Sequence, residues 1–236
     1  MRFLTHQYTN PGGRSPNEDS VGYYTDMKIH AWAAADGLGG HSHGELASAQ
    51  AIQIMDMTVS ECDHLDEETV REIFCEMNDG VKALDGPLTT AVCAFSDGKT
   101  LYYGNNGDSR FILLRDKKVK FRSNDHSLAY LAYKNGAIRY EDIPSHPAQN
   151  RLYHSMGCDA SFAGEFYPPV ELEPGDAFLL CTDGFWELVT EREIERTLKI
   201  SNTPEEWLGL MLECLEPRLT PASDNYSAVC VLVKEN

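Results

Sequence analysis

Residues 33–48, AAADGLGGHSHGELAS, constrain the fold of this chain more than any other stretch. The apolar run over residues 29–35 predicts a buried strand, and it is followed abruptly by Asp36 and by three glycines within four positions. Because glycine lacks Cβ, such a loop can turn tightly and expose its carbonyl groups. Apolar residues then recur at helical spacing from Gly44 onwards. The stretch therefore predicts a strand, a glycine-rich loop and a helix, with a carboxylate where the strand ends.

Four interpretations of this stretch compete. A phosphate-binding P-loop requires Gly-Lys-Ser/Thr at the start of the helix, and the sequence has Gly-His-Ser-His-Gly there, which excludes it. The same residues 40–44 satisfy G-x-S-x-G, the nucleophile elbow of α/β-hydrolases, with Ser42 as the nucleophile. Alternatively, Asp36 binds a metal ion together with a carbonyl of the loop, or the stretch is a tight turn without chemistry. The rest of the chain has to distinguish these alternatives.

The formal net charge of −17 limits the partners of the protein. Nucleic acids and anionic membranes are bound by clustered Lys and Arg, so neither is expected as a partner. Part of the acidic excess lies on predicted helices as solvated side chains, and the remainder is available for cations. A length of 236 residues with 42% hydrophobic residues predicts one soluble globular domain over residues 1–236, expected to be a monomer.

The seven cysteines favour a reducing, cytoplasmic location. Their number is odd, no CxxC pair occurs, and several lie within apolar runs as small core residues. The first ten residues lack the apolar segment of a signal peptide, and no apolar run approaches the length of a membrane helix.

Local patterns predict the remaining elements. Residues 3–9 and 21–25 predict strands, with Arg14 and Asp19 on the loop between them, and residues 88–122 predict an antiparallel meander. Residues 177–182 and 228–233 are apolar runs that predict further strands. Helix starts are predicted at Asp66, an N-cap followed by two glutamates, and at two capping boxes, Thr190 with Glu193 and Thr203 with Glu206. Residues 124–166 predict a long loop or flap that contains a short helix over residues 127–134.

Four aspartates flank predicted strands: Asp19, Asp36, Asp183 and Asp224. Carboxylates that converge in a protein interior repel each other unless cations neutralise them. Oxygen ligands without accompanying histidines or thiolates favour Mg²⁺ or Mn²⁺ over zinc. Two such ions acidify a shared water molecule and hold a phosphoryl group for attack, so the pattern favours phosphate-ester hydrolysis.

Seven motifs in order carry a resemblance that spans nearly the whole chain. They are RSPNED (14–19), DGLGGHSHGELAS (36–48), TTAV (89–92), GNNGDSR (104–110), NDHSL (124–128), LLCTDGFWELV (179–189) and SDNYSAV (223–229). Together they resemble the metal-dependent protein Ser/Thr phosphatase family (PPM, type 2C) in its compact prokaryotic form. The resemblance implies an α+β fold, an α-β-β-α sandwich in which two central, mainly antiparallel sheets are flanked by helices. It also implies a centre of two Mn²⁺ or Mg²⁺ ions at one end.

The resemblance also assigns metal ligands. Asp36 is expected to bridge both ions and the Gly37 carbonyl to bind one of them, while Asp183 and Asp224 complete the protein ligands. Asp19 is expected to act directly or through a metal-bound water.

Three more residues receive roles from the same motifs. Arg14 matches the arginine that binds the substrate phosphate, a role that suits its bidentate guanidinium. His41 matches a histidine of the glycine loop for which a general-acid role is a candidate, and Asp108 is expected to join Asp183 at a weaker third metal site. The flap over residues 124–166 is expected to select the substrate.

The implied activity is hydrolysis of phosphoserine and phosphothreonine in phosphoproteins by water activated at two metal ions, without a phosphoenzyme intermediate. By analogy, a Ser/Thr kinase or its targets are the expected substrates.

Two alternatives are less consistent with the sequence. A serine hydrolase of this class usually has its catalytic histidine near the end of the domain, and the last histidine here is His154, well before the final predicted strands. A non-catalytic relative would be expected to lack a ligand, whereas every ligand position is filled. Leu88, Asn106 and Ser227 depart from the family pattern beside the ligands.

Overall fold

The computed structural model describes residues 1–26, 28–38, 43–158 and 161–235. Within them lie eleven strands: β1 (Arg2–Asn10), β2 (Asp19–Thr25), β3 (His30–Asp36), β4 (Ala91–Ser96), β5 (Thr100–Asn106), β6 (Arg110–Arg115), β7 (Lys118–Arg122), β8 (Glu165–Phe166), β9 (Val170–Glu171), β10 (Ala177–Cys181) and β11 (Tyr226–Lys234). The α-helices of the same ranges are α1 (Gly44–Glu61), α2 (Glu67–Lys82), α3 (Leu128–Lys134), α4 (Asp183–Trp186), α5 (Glu191–Ile200) and α6 (Pro204–Leu215). Short 3₁₀ turns cover Tyr140–Ser145 and Glu216–Arg218.

The strands form two sheets in which every pair is antiparallel. The first sheet has the order β1-β11-β10-β6-β7, and it joins both ends of the chain because β1 pairs with β11 from Arg2 opposite Lys234 to Asn10 opposite Tyr226. The second sheet has the order β2-β3-β4-β5-β8, with β9 paired to β5. The long connections between the sheets leave several strand ends at one edge of the molecule, which is where the site lies.

Three apolar layers hold the sheets and helices together. Side chains of both sheets meet in a central layer, where the Trp32 ring packs edge-on against Phe178 with centroids 4.9 Å apart. Helices α1 and α2 cover the second sheet, and α5 and α6 cover the first. Each fully buried large side chain contributes about 1.5–3 kcal/mol to stability. The predicted α+β sandwich of two antiparallel sheets flanked by helices is confirmed.

Most predicted elements are confirmed with small shifts of their ends. Asp66 caps α2 by accepting a hydrogen bond from the Thr69 amide at 2.8 Å. The capping box of Thr190 and Glu193 is present in full at the start of α5. Helix α3 begins after Ser127 inside the segment predicted as a flap, and the Tyr140–Ser145 turn and β8 give that segment further structure.

Two local predictions are wrong. Asp19 does not lie on a loop but is the first residue of β2, because the pairing with β3 extends far enough to place it opposite Asp36. The second capping box is only half formed. Thr203 caps α6, but the Glu206 carboxylate accepts a hydrogen bond from the Asn202 amide at 2.8 Å, one residue before the position that a capping box requires.

None of the helices in the described ranges has the length and apolar character needed to span a membrane.

Candidate active site

An open cavity of about 580 Å³ lies at the edge where strands of both sheets end. Six of the predicted site residues line it: Arg14, Asp36, Gly37, Asp108, Asp183 and Asp224. The opposite wall comes from the flap, with residues 150–155 and Cys158. Asp19 lies buried behind Asp36, its partner across the β2-β3 ladder. His41 and Ser42 lie outside the described residues.

The backbone of Asp36 is fixed by the two threonines that precede β4. The Asp36 amide donates to Thr90 Oγ1 at 2.9 Å, and the Asp36 carbonyl accepts from the Thr90 amide and from Thr89 Oγ1, both at 2.8 Å. Thr90 Oγ1 is also 2.6 Å from Ser109 Oγ, next to Asp108. These contacts hold the end of β3 in one position, so the Asp36 carboxyl group enters the cavity from a rigid base.

Gly37 lies where two segments of backbone touch. Its amide donates to the Glu18 carbonyl at 3.0 Å, and a Cβ atom at this position would lie 2.2 Å from the carbonyl oxygen of Gly44. No side chain fits in that space, so the start of α1 can approach the end of β3 only because both residues are glycine. Ser48 Oγ completes the contact by donating to the Glu18 carbonyl at 2.6 Å.

Asp19 is held by two hydroxyl groups of the other sheet. Its Oδ2 accepts hydrogen bonds from Thr182 Oγ1 at 2.8 Å and from Ser227 Oγ at 2.7 Å, while its buried Oδ1 has no partner among the described residues. Burial, with the charges of Asp183 and Asp224, raises the pKa of Asp19 to about 7. Ser227, a departure from the family pattern, thus keeps the hydroxyl that this contact needs.

Three carboxyl groups that line the cavity, those of Asp36, Asp108 and Asp183, also have raised pKa values. Desolvation, followed by the charges of Asp183 and Asp19, raises the pKa of Asp36 well above its ordinary value. Burial raises the pKa of Asp183 to about 6 and that of Asp108 well above its usual range. Such shifts arise when buried carboxylates face each other without sufficient positive charge.

This arrangement fits divalent cations. The donors are carboxylate oxygens and the backbone at Gly37. One buried oxygen of Asp19 has no partner among the described residues, and the negative charges of the acids raise one another's pKa values. Among the described residues, no three His, Cys, Asp or Glu side chains are arranged as a complete chelate. Mg²⁺ commonly binds one or two carboxylates and retains several waters, so a complete chelate of protein side chains is not required.

Arg14 brings positive charge to the cavity. One of its Nη atoms lies 2.8 Å from Asp224 Oδ2, and about half of the side chain (48%) remains exposed. Its loop is tied to the far end of the sequence by Asn225, whose Oδ1 accepts from the Glu18 amide and whose Nδ2 donates to the Pro11 carbonyl, both at 2.8 Å. The part of the guanidinium that does not contact Asp224 is exposed and can bind a further anion.

A second buried network supports Asp108. Arg110 forms a two-pronged ion pair with Asp125, at 2.8 and 2.6 Å, and its guanidinium lies 3.4 Å from the ring centroid of Trp186. The Trp186 indole donates to the Asp108 carbonyl at 3.0 Å. One turn after Asp183, burial raises the pKa of Glu187 to about 8, and its buried Oε1 has no partner among the described residues.

Sequence reasoning did not assign roles to several of these supporting residues: Thr89, Thr90, Arg110, Asp125, Thr182, Glu187, Asn225 and Ser227. All lie in the seven motifs, which is the one signal that could have identified them. Their partners are distant in sequence, so their functions become visible only in the folded chain. The histidine of NDHSL also has a structural role. His126 Nδ1 accepts from the Gly107 amide, so Nε2 carries the proton donated to Glu165.

The geometry does not favour a nucleophile elbow. In α/β-hydrolases that motif follows a strand of the central, mainly parallel sheet. Here the strand before the glycine loop, β3, is antiparallel to both of its neighbours, β2 and β4.

Comparisons with known proteins agree with the fold. Residues 9–131 match the family described as protein phosphatase 2C. The serine/threonine phosphatase stp of Listeria monocytogenes serotype 4b (strain F2365) is 30% identical over 206 residues, which cover 82% of this chain and 81% of that protein. The crystal structure of the serine/threonine phosphatase Stp1 from Staphylococcus aureus superimposes with a TM-score of 0.88 at 24% identity, covering 100% of this chain and 96% of that one.

A further solved structure, the catalytic domain of the serine/threonine protein phosphatase PstP in complex with two manganese ions, gives a TM-score of 0.80 at 25% identity, with 99% of both chains covered. The family match and the relatives, together with the fold, therefore identify the class as protein phosphatase. The chain belongs to the protein phosphatase 2C family, as its motifs indicated, and the α/β-hydrolase alternative is set aside.

Proposed function

We propose that this protein hydrolyses phosphoserine and phosphothreonine in phosphoproteins, with water activated at two divalent metal ions and without a phosphoenzyme intermediate. The observation that carries the proposal is the convergence of Asp19, Asp36, Asp183 and Asp224 at one cavity edge beside Arg14. The serine/threonine phosphatases among the relatives support the substrate class. Residues 1–236 would act as one catalytic domain.

Asp36, the Gly37 carbonyl, Asp183 and Asp224 would hold two Mn²⁺ or Mg²⁺ ions, with Asp19 acting directly or through water. Asp108 would join Asp183 in holding a weaker third ion. When bound, these ions lower the pKa of a water molecule towards neutrality and offset the charge of the phosphoryl group. The two manganese ions in the related PstP structure support a site for two ions.

The side chains of this protein bind and orient the substrate. The exposed part of the Arg14 guanidinium would donate two parallel hydrogen bonds to the phosphate, while its ion pair with Asp224 keeps it at the cavity. His41 would protonate the departing Ser or Thr oxygen. The Thr89 and Thr90 contacts fix Asp36 before the substrate arrives, so little reorganisation accompanies the reaction.

A Ser/Thr kinase or the targets of one would be natural substrates, by analogy only. The monomeric state and the cytoplasmic location stay predictions.

Hydrolysis of p-nitrophenyl phosphate and of a phosphothreonine peptide by the purified protein tests the proposal, with Mn²⁺, Mg²⁺ or excess EDTA. We expect metal-dependent activity that falls by at least about a hundredfold in Asp36→Asn, since a metal centre contributes several kcal/mol to transition-state stabilisation. Ser42→Ala should retain the activity. A folded sample that is inactive with every metal would contradict the proposal and favour a phosphoprotein-binding role. Hydrolysis that resists EDTA and is abolished in Ser42→Ala would instead favour a serine hydrolase with Ser42 as the nucleophile.

A further inference from the structure

The flap wall of the cavity carries an arginine, Arg151, whose backbone is held at both peptide groups. Its amide donates to the Ala148 carbonyl at 3.2 Å, and its carbonyl accepts from the amide of Leu128, the first residue of α3, at 2.8 Å. The next residue, Leu152, forms a β-bridge with Ser127. The exposed Arg151 side chain therefore starts from a fixed point on the cavity wall.

The guanidinium of Arg151 has no hydrogen bond or ion pair with any other described residue, although acidic residues outnumber Lys and Arg by 37 to 20. Most other arginines of the chain pair with a carboxylate: Arg14, Arg110, Arg115, Arg122, Arg139 and Arg218. An arginine that lines the cavity and keeps its donors free can bind an anion from solution.

The flap wall and the cavity floor differ in charge. The floor holds Asp36, Asp108 and Asp183, whereas the described flap residues that line the cavity, residues 150–155 and Cys158, include no carboxylate. His154 is also on this wall, but its ring stacks on Phe162 with centroids 3.8 Å apart and is thereby fixed. An anionic group that approaches along the flap therefore meets Arg151 with no acid among the described lining residues of that wall.

We propose that Arg151 selects substrates that carry a second anionic group beside the phosphorylated residue, either a carboxylate or another phosphate. This inference rests on the proposed function, in which Arg14 and the metal ions engage the phosphate that is removed. A guanidinium binds either anion through two parallel hydrogen bonds. The net charge of −17 does not prevent this, because exposed charges more than about 8 Å away are largely screened at physiological salt.

Three phosphothreonine peptides of equal length test the proposal. The residue adjacent to the phosphothreonine is Glu in the first peptide, a non-hydrolysable phosphonate analogue of phosphoserine in the second and Gln in the third. For each peptide kcat and KM are measured with Mn²⁺. We expect the wild-type protein to favour the Glu and phosphonate peptides over the Gln peptide by about five- to tenfold in kcat/KM, mainly through KM, as for one charge-assisted contact at a partly exposed site. The ratio of the two anionic peptides identifies the preferred anion.

Variants assign the preference to Arg151. In Arg151→Gln the ratio of kcat/KM between anionic and neutral peptides should fall close to one, and Arg151→Lys, which keeps the charge but not the planar fork, should retain part of it. Arg2→Gln is the matched control. Arg2 is also exposed and its loss changes the net charge equally, but it begins β1, at the opposite end of that strand from Asn10 and the Arg14 loop.

The outcomes separate this inference from the function on which it rests. Hydrolysis of the Gln peptide and p-nitrophenyl phosphate without any anionic preference, or with a preference that Arg151→Gln leaves unchanged, overturns the role of Arg151 alone. A preference lost equally in Arg2→Gln does the same, because it would be a net-charge effect. Absence of hydrolysis of every substrate overturns the role of Arg151 together with the proposed function.

Discussion

Hydroxyl groups, rather than cations, hold the Asp19 carboxyl group and the backbone of Asp36. Asp19 accepts hydrogen bonds from Thr182 and Ser227, and the backbone of Asp36 is held by Thr90. A hydroxyl that donates a hydrogen bond favours the ionised form of Asp19 without adding positive charge that would compete with a cation. An arginine at these positions would neutralise the site before a metal ion reached it. The small hydroxyl residues of the motifs therefore hold these aspartates without adding positive charge to the cavity.

Thr90→Val tests this positioning. Valine has nearly the same shape as threonine but cannot accept the hydrogen bond of the Asp36 amide or contact Ser109 Oγ. A buried amide without its partner costs about 1–3 kcal/mol, and we expect that loss in the free energy of urea unfolding. At a temperature where the variant is fully folded, its phosphatase activity should still be lower than that of the wild-type protein, because Asp36 is no longer fixed.

Thr90→Ser is the matched control, because it keeps the hydroxyl and should retain most of the activity. Equal activity losses in the valine and serine variants would contradict the hydrogen-bond argument and would point to the methyl group of Thr90.

At the scale of elements, two helices with similar start sequences begin differently. In α5 the Glu193 carboxylate accepts hydrogen bonds from the Thr190 amide and hydroxyl and also pairs with Arg218, in the turn after α6. In α6 the corresponding Glu206 bonds to the Asn202 amide instead. Glu193 therefore joins the start of one helix to the end of the next, and its contacts, led by Arg218, lower its pKa to about 2.

Glu193→Gln should reveal this contact as a pH-dependent loss of stability. A group whose pKa is lower in the folded state stabilises the fold above its unfolded pKa and loses that effect as the pH falls through the folded value. The wild-type protein should thus exceed Glu193→Gln in unfolding free energy by about 1 kcal/mol near pH 7, because an N-terminal cap and a partly exposed ion pair each contribute about this much or less.

The difference should shrink between pH 4.5 and about 2, which urea unfolding at a series of pH values can follow. Glu213→Gln on the exposed face of α6 serves as the control and should show little effect. A difference that stays constant from pH 7 to the acid limit would mean that the charge of Glu193 is not involved.

At the scale of the whole molecule, the site exists only because the two sheets meet. Asp19 and Asp36 belong to the second sheet, whereas Asp183 and Asp224 flank β10 and β11 of the first. The Glu18 amide and the Asn225 side chain, 207 positions apart, are joined by one hydrogen bond. A metal ion held by carboxylates of both sheets would therefore link them directly.

Mn²⁺ should stabilise the entire fold. A ligand at a hundred times its dissociation constant adds about 2.7 kcal/mol to the unfolding free energy, so the melting temperature should rise with Mn²⁺ and return to its initial value with EDTA. Hydrogen exchange should slow in β2 and β3 and equally in β10 and β11. Asp36→Asn should reduce the shift strongly, with Ser42→Ala as the control. Protection confined to one sheet would contradict the proposed sharing of ligands.

The sequence predicted the local structure well because short-range physics decides it. The apolar runs of β3, β10 and β11, the N-cap Asp66 and the Thr190–Glu193 box each depend on residues within a few positions. The motifs also identified the family and the acidic floor of the cavity, whereas its flap wall, residues 150–155 and Cys158, lies outside them. The predictions failed where a strand end or a cap depended on partners elsewhere, as for Asp19 opposite Asp36 and for Glu206.

What the sequence alone determined is therefore which residues carry charge and where strands, helices and tight turns occur. Only the tertiary structure decided which groups meet, as Asp19 meets Thr182 and Ser227 and Arg110 meets Asp125. It also placed Arg151 on the cavity wall without an ion pair to any described residue. The reason is physical. Hydrophobic burial is non-directional and selects the layers, whereas hydrogen bonds and ion pairs act over a few ångströms and depend on the final packing of distant segments.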